Sequence, residues 1–296
     1  MTTDKAASRK PTKRKKQSYY KDAFRRLIKN PLADICLVIV AFFVCVIIFA
    51  DLIVPYDAGI AQSAELRLAP PSSEHPFGCD NMGRDMLSRM VHGSRVSLTM
   101  GLYVTAIVML IGTVLGAASA FYGGIIDMIM MRICDLFMCI PGTLFALTMV
   151  AVLGPGLTNM LIAIVISSIP GTTRQFRSLM LNVIANDYID AARACGTRDL
   201  RIIWKHILPN VMAYIVLSAA GSVAGMIMQI AGLSFLGLGV QPPDPEWGAM
   251  MSEARNYMLQ APHMMFVPGV ALLIVTLTLS LLGDALRDVL DPRLRN

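Results

Sequence analysis

LFMCIPGTLFALTMVAVLGPGLTNMLIAIVISSIPGTT, residues 136–173, is a run of 38 residues without Asp, Glu, Lys or Arg. A bilayer core about 30 Å thick is crossed by about 20 helical residues, so this run holds at least one span and a turn, and Gly154-Pro155-Gly156 supplies the turn. Uncharged runs of 31 and 37 residues, at 96–126 and 207–243, have the same character. Only 16% of the chain is charged, against about 25% in soluble domains. The sequence therefore predicts an all-α polytopic membrane protein, and it excludes a disordered chain, a disulfide-stapled secreted fold and a soluble nucleic-acid binder.

Hydropathy predicts six membrane-spanning helices, with approximate bounds 35–54, 96–121, 128–153, 157–169, 211–233 and 264–282. Residues 1–30 carry eleven Lys and Arg ahead of the first span, as cytoplasmic segments do. With six spans and both termini in the cytoplasm, 21 of the 26 Lys and Arg fall on the cytoplasmic side. We therefore predict this topology. We predict no partnership of the basic tail with nucleic acid, because few aromatic residues interleave its charges.

Small residues and charges within the spans predict helix contacts. The pairs Gly112/Gly116 and Gly221/Gly225 have the Gly-x-x-x-Gly spacing that lets two backbones approach closely. Arg132 and Asp135 are three residues apart on one helix and can form a local ion pair.

The sequence offers little for catalysis or metal binding. Its six cysteines form no C-x-x-C pair, and its four histidines stand near no plausible nucleophile. It contains no G-x-x-x-x-G-K-[ST] motif for cradling nucleotide phosphates. We predict no cofactor, no metal and no enzymatic activity. An ion-coupled secondary carrier is the remote alternative, although neither internal repeats nor ionisable residues deep in the spans favour it.

The predicted cytoplasmic loop 172–210 is far longer than a turn requires. A short helix at 188–195 is ended by Gly196, and a second, amphipathic helix follows it. Its apolar residues are spaced i, i+3, i+4, i+7 and i+8, with a basic stripe of Arg198, Arg201 and Lys205 on another face. The apolar set is Leu200, Ile203, Trp204, Ile207 and Leu208. Pro209 is expected to end this helix. The pattern fits either a membrane-surface helix or a helix presented to a partner's groove.

One motif in this loop resembles the "EAA" loop of permease subunits in binding-protein-dependent ABC importers. The resemblance rests on Asp190-Ala-Ala-Arg-Ala-Cys-Gly196 followed by Ile207-Leu-Pro209. Asp190 replaces the usual Glu, and ten residues separate Gly196 from Ile207, one more than in the family's pattern. In that family the loop docks on the ATPase. The resemblance thus implies an ATPase-coupling set of Asp190, Ala191, Ala192, Arg193, Gly196, Ile207, Leu208 and Pro209.

Further segments resemble the C-type permeases of dipeptide, oligopeptide and nickel importers. They are residues 75–89, 93–101, 241–248 and 283–293, with Cys79 where those proteins usually have Thr. The implied fold is that of a type I ABC importer permease. The implied division is a basic cytoplasmic tail 1–34, a first transmembrane helix 35–54, an extracytoplasmic loop 55–94, a type-1 permease domain 95–287 with its cytoplasmic loop 172–210, and a cytoplasmic tail 288–296.

The same resemblance implies the function and the partners. The chain is expected to lie in a bacterial plasma membrane, among membrane lipid, beside a homologous second permease, two ATP-binding subunits and an extracytoplasmic substrate-binding protein. The expected substrates are di- and oligopeptides, with nickel or a nickel chelate as the alternative. The expected contacts with the binding protein are Asp244, Glu246 and Trp247, although the same residues fit a loop anchored at the membrane surface, with Trp247 in the aromatic belt.

Overall fold

The computed structural model describes residues 31–290, so most of the predicted tails 1–34 and 288–296 lies outside the described residues. The helices are α1 Pro31–Ile48, α2 Ala50–Ile53, α3 Tyr56–Ile60, α4 Met86–Tyr122, α5 Gly124–Met138, α6 Gly142–Leu153, α7 Leu157–Ile184, α8 Asp187–Ala194, α9 Asp199–Ile202, α10 Leu208–Phe235, α11 Trp247–Ala254 and α12 His263–Leu290. A π-helix, Ile203–Ile207, joins α9 to α10, and a 3₁₀ turn, Arg255–Tyr257, follows α11. Within residues 31–290 there is no named strand. The fold is therefore all-α, as predicted.

Four helical stretches in this part of the chain are long and apolar enough to cross a membrane, and a bent pair of helices raises the number to five. They are α1, α4, the continuous stretch Asp199–Phe235, and α12, together with the pair α5 and α6. The remaining predicted span, the fourth at 157–169, forms the first half of α7. The six-span topology consequently stays a prediction.

The second predicted span begins earlier than hydropathy indicated. Helix α4 starts at Met86, ten residues before the predicted start, and runs for 37 residues. The Asp85 carboxylate caps it by accepting a hydrogen bond of 2.7 Å from the Ser88 amide. The first turns of α4 carry polar residues that are buried by packing against the loops around them, and a hydropathy window cannot detect such burial.

Two prolines act differently from the prediction. The third predicted span is not one helix, because the chain bends by 82° between α5 and α6. Pro141 stands directly before α6, where it provides no amide for a continuous helix and disfavours helical backbone at Ile140. The fourth predicted span does not end at Pro170, since α7 passes through this proline to Ile184. The first third of the predicted loop 172–210, residues 172–184, is therefore an extension of α7.

Close contact between α4 and α7 organises the core. A Cβ on Gly112 would lie 2.6 Å from Thr172 Cγ2, and one on Gly116 would lie 2.9 Å from the Arg177 backbone nitrogen. The first Gly-x-x-x-Gly prediction is therefore confirmed. The second is wrong for Gly225, which has open space beside it, whereas the backbone of Gly221 is approached by Gly283 of α12.

Ion pairs tie α5 to α7. Arg177 pairs with Asp127, and Arg174 pairs with Asp135. The predicted local pair of Arg132 with Asp135 is present at 3.8 Å. Both carboxylates of α5 thus face arginines of the helix that continues toward α8.

Candidate functional site

Helix α8 is short, and its ends are stabilised locally. Asp187 and Asp190 lie in its first turn and Arg193 in its last, which complements the helix dipole. Gly196 has φ +72°, the left-handed conformation that glycine adopts without steric cost. The Thr197 amide donates to the Ala192 carbonyl at 3.1 Å, and the Gly196 amide donates to the Arg193 carbonyl at 2.9 Å. These two bonds form a Schellman motif, so the predicted glycine break is confirmed.

The inner face of α8 is fixed to the ends of α4 and α7. Ile189 is fully buried in a cluster that includes Phe176 and Met180 of α7. The Arg193 guanidinium lies 5.0 Å from the centre of the Phe121 ring at the end of α4, within cation–π range. Arg193 also lies 3.5 Å from Asp190 on its own helix. A displacement of α8 would therefore be transmitted directly to two long helices.

The structure divides the predicted coupling residues into an exposed group and a buried group. The exposed residues are Asp190, Ala191, Arg193, Gly196 and Pro209, whereas Ala192 is half-buried and packs against the α7 cluster. Ile207 and Leu208 are buried. Only the exposed group can meet another protein in this conformation.

The segment after Gly196 differs from the predicted amphipathic helix. Ile202, Ile203, Ile207 and Leu208 are buried, while Leu200 and Trp204 are exposed. The π-helix Ile203–Ile207 explains the change, because i→i+5 hydrogen bonds widen the turn and alter which residues share a face. A sequence pattern counted with the α-helical period places Leu200 and Trp204 on the wrong face.

The role predicted for Pro209 is also wrong. It does not end a helix, because it lies in the first turn of α10 and helical structure continues from Asp199 to Phe235. Proline is well tolerated in a first turn. The segment 199–207 is thus a direct continuation of a membrane helix.

At the opposite end of α4, four charged side chains form a buried ring. Asp80 Oδ2 lies 2.6 Å from both Arg84 Nε and Arg89 Nη1. Glu253 Oε2 lies 2.7 Å from Arg84 Nη2 and 3.1 Å from Arg89 Nη2. Both arginines and Asp80 are at most 2% exposed. Two positive and two negative charges therefore join the 61–85 loop, the start of α4, and α11 into one cap. No local sequence pattern indicates this ring, because Glu253 is far from its partners along the chain.

The three residues predicted to contact a binding protein lie in different environments. Glu246 and Trp247 are at most 1% exposed. The Glu246 carboxylate accepts bonds from the Gly248 and Ala249 amides and from the Ser97 hydroxyl, and the Trp247 indole donates to the Met90 carbonyl at 3.0 Å. Asp244 is exposed and accepts a 2.8 Å hydrogen bond from the Tyr56 hydroxyl. Of the three, only Asp244 is accessible to another protein.

Cys79 lies inside the cap. It is fully buried, and the His263 imidazole lies 3.1 Å from its carbonyl oxygen. Burial raises the pKa of the Cys79 thiol, and the Asp85 and Asp80 carboxylates raise it further. Among residues 31–290 no three or more His, Cys, Asp or Glu side chains are placed to share a metal ion. The thiol is therefore packed inside the cap.

Comparison with solved structures identifies the fold. The fold matches the inward-facing MetNI methionine ABC transporter in two crystal forms, with TM-scores of 0.55 and 0.54. The first match has 21% sequence identity and covers 70% of this chain and 98% of that one. The fold is that of a type I ABC importer permease.

Sequence comparison then places the chain in a family. Residues 90–296 match the family "Binding-protein-dependent transport system inner membrane component", and residues 18–71 match "N-terminal TM domain of oligopeptide transport permease C". The chain belongs to the former family, so it is an inner-membrane permease component of an ABC importer.

Curated relatives match along nearly the whole length. The dipeptide transport system permease protein DppC of Alkalihalophilus pseudofirmus is 40% identical over 94% of this chain and 91% of its own. The glutathione transport system permease protein GsiD is 39% identical in Pectobacterium atrosepticum, over 94% of this chain and 92% of its own. Its Escherichia coli counterpart is 41% identical over 92% of this chain and 90% of its own. The predicted family is confirmed.

Proposed function

We propose that this permease forms half of a translocation path for di- and oligopeptides that an extracytoplasmic binding protein delivers. The observation that carries the proposal is identity of about 40%, over 94% of the chain, with a permease named for dipeptide transport. The glutathione permeases and the oligopeptide permease domain support the same substrate class. These names favour peptides over nickel.

We further propose that two separate ATP-binding subunits supply the energy and contact α8. The chain has no phosphate-binding loop of its own. The exposed residues form the contact in this proposal, and they are Asp190, Ala191, Arg193, Gly196 and Pro209. The other three members of the predicted set are buried or half-buried and hold residues 187–207 against α7 and α10. They are Ala192, Ile207 and Leu208. Support comes from the attachment of α8 to α4 and α7, which gives ATP-driven movement a direct route into the membrane helices.

The cap is the proposed receptor side. Asp244 is the accessible member of the predicted docking residues, whereas Glu246 and Trp247 keep α11 in place beneath it. In this arrangement six spans place both termini in the cytoplasm, and a homologous second permease completes the path. The excess of Lys and Arg on the α8 side supports that orientation.

Uptake measurements test the substrate. The chain would be expressed with its native neighbouring subunits in a bacterial strain that lacks peptide importers, and uptake of a radiolabelled dipeptide would be compared with uptake of radioactive nickel. We expect saturable dipeptide uptake and no nickel uptake. A P-loop Lys→Ala change in the ATP-binding subunits is the control, and it should abolish uptake.

Three outcomes would contradict the proposal in different ways. Nickel uptake without peptide uptake would show that the substrate is nickel and not a peptide. Uptake that survives the P-loop change would remove the ATP-binding subunits as the energy source and reopen the secondary carrier. Uptake of neither substrate would show that the importer transports a different substrate.

A further inference from the structure

Two large apolar side chains project outward from the helix that follows α8. Leu200 is 66% exposed and Trp204 is 70% exposed. They are four residues apart, whereas the neighbouring isoleucines Ile202, Ile203 and Ile207 are buried against the protein. The π-helix gives the segment two apolar sides, and the protein covers only one of them.

Three cations accompany this uncovered side. Arg198, Arg201 and Lys205 are exposed, and within residues 31–290 none of the three has an ion-pair partner. The nearest carboxylate in sequence is that of Asp199. The patch made by Leu200, Trp204, Arg201 and Lys205 thus combines apolar surface with unneutralised positive charge.

The depth of the patch is fixed by its position in the chain. Trp204 precedes the start of α10 by four residues, about 6 Å along a helix axis. Helical structure from Asp199 to Phe235 is continuous and apolar enough to cross a membrane. Tryptophan is enriched at the level of the lipid headgroups, and basic side chains there attract anionic lipids.

We propose that this patch binds anionic phospholipid of the leaflet next to α8. Trp204 and Leu200 enter the boundary between headgroups and acyl chains, and Arg201 and Lys205 contact the lipid phosphate. The patch lies beyond the Schellman turn at Gly196, so it is a different surface from the exposed side of α8. Lipid contact would hold the base of α10 at a fixed depth while α8 moves.

The tryptophan content of the chain makes the contact measurable. Trp204 and Trp247 are the two tryptophans, and Trp247 is 1% exposed. The difference in fluorescence between the unaltered chain and a Trp204→Phe variant isolates Trp204. Both full-length proteins would be placed in nanodiscs of phosphatidylcholine that contain a small fraction of brominated phosphatidylcholine or of brominated phosphatidylglycerol.

We expect brominated phosphatidylglycerol to occupy the patch roughly 25-fold more than brominated phosphatidylcholine at equal low mole fraction, and to quench Trp204 correspondingly more strongly. The reason is that Arg201 and Lys205 each contribute a factor of about five. The double change Arg201→Gln and Lys205→Gln should remove the preference. The matched control is Arg67→Gln with Arg255→Gln, two exposed arginines of the cap, which should leave the preference intact.

Other results would overturn the proposal. Equal quenching by the two lipids would show that the patch does not prefer anionic phospholipid. Absence of lipid quenching, with or without added ATP-binding subunits, would remove the lipid contact. If those subunits alone changed Trp204 emission, the patch would belong to their docking surface. The measurement needs no transport, so its failure is distinguishable from a failure of the proposed substrate.

Discussion

Gly196 combines a left-handed backbone conformation with a proposed role in coupling to the ATP-binding subunits. Its φ of +72° and its amide bond to the Arg193 carbonyl close the end of α8. A Cβ at this position would meet no atom within 4 Å beyond its chain neighbours, so a side chain is limited by conformation rather than by space.

The first prediction compares two substitutions at this position. Gly196→Pro fixes φ near −65° and removes the amide donor, so we expect it to abolish peptide uptake while the chain still inserts into the membrane. Gly196→Asn should retain most uptake, because asparagine adopts the left-handed conformation at low cost. Uptake would be measured at equal amounts of membrane-inserted protein. Normal uptake by the proline variant would contradict the role of this turn.

At the scale of helices, the contact between α4 and α7 depends on glycine. A Cβ at Gly116 meets the Arg177 backbone nitrogen at 2.9 Å and the Thr173 carbonyl oxygen at 3.1 Å. Backbone atoms cannot rotate away as side chains do, so an added methyl group must separate the helices.

The second prediction concerns this helix contact. Gly116→Ala should destabilise the chain by about 1–3 kcal/mol, as overpacking does. Gly225→Ala is the matched control, because it lies in a helix with open space beside it, and it should be neutral or stabilising by up to about 1 kcal/mol. Thermal unfolding of the purified chain in detergent compares the two. Equal melting temperatures would show that α4 and α7 do not depend on this contact.

Three prolines show which parts of these helices could be read from the sequence. Pro141 separates α5 from α6, Pro170 lies within α7, and Pro209 lies in the first turn of α10. The apolar runs located the helices, because burial in lipid depends on composition. They did not locate the bends, because a proline's effect depends on whether neighbouring helices keep the chain straight. The π-helix was missed for a related reason, since its i→i+5 hydrogen bonds change which residues share a face, and a count based on 3.6 residues per turn does not detect this.

The candidate site was predictable to a similar extent. The turn at Gly196 follows from local chemistry, and so does the exposure of Asp190 and Arg193. The burial of Glu246 and Trp247 does not, because it depends on Ser97 and Met90, which lie about 150 positions earlier in the chain. Charges in a loop resemble surface charges until their distant partners are known.

At the scale of the whole molecule, the proposed topology places α8 and the cap on opposite sides of the membrane. Cys195 is exposed beside α8, and Leu259 is 96% exposed in the turn before α12. These two positions therefore report on the two sides.

The third prediction is a labelling pattern. A membrane-impermeant maleimide should label Leu259→Cys in intact cells and Cys195 only after the membrane is opened. Cys195→Ser provides the background from the other cysteines. Cys79 should contribute little from outside, because it is buried and its raised pKa keeps the thiol protonated. The reverse pattern would invert the topology.

The charge ring of the cap also has a consequence for how the protein is made. Arg84 meets Glu253 across 169 positions of sequence, so synthesis and membrane insertion deliver Asp80, Arg84 and Arg89 long before their last partner. Until α11 emerges, one carboxylate must serve two guanidinium groups, and the surplus positive charge keeps them hydrated. The cap can close only after α11 has been synthesised. A fragment that stops before residue 253 therefore retains an uncompensated arginine in an unfinished cap.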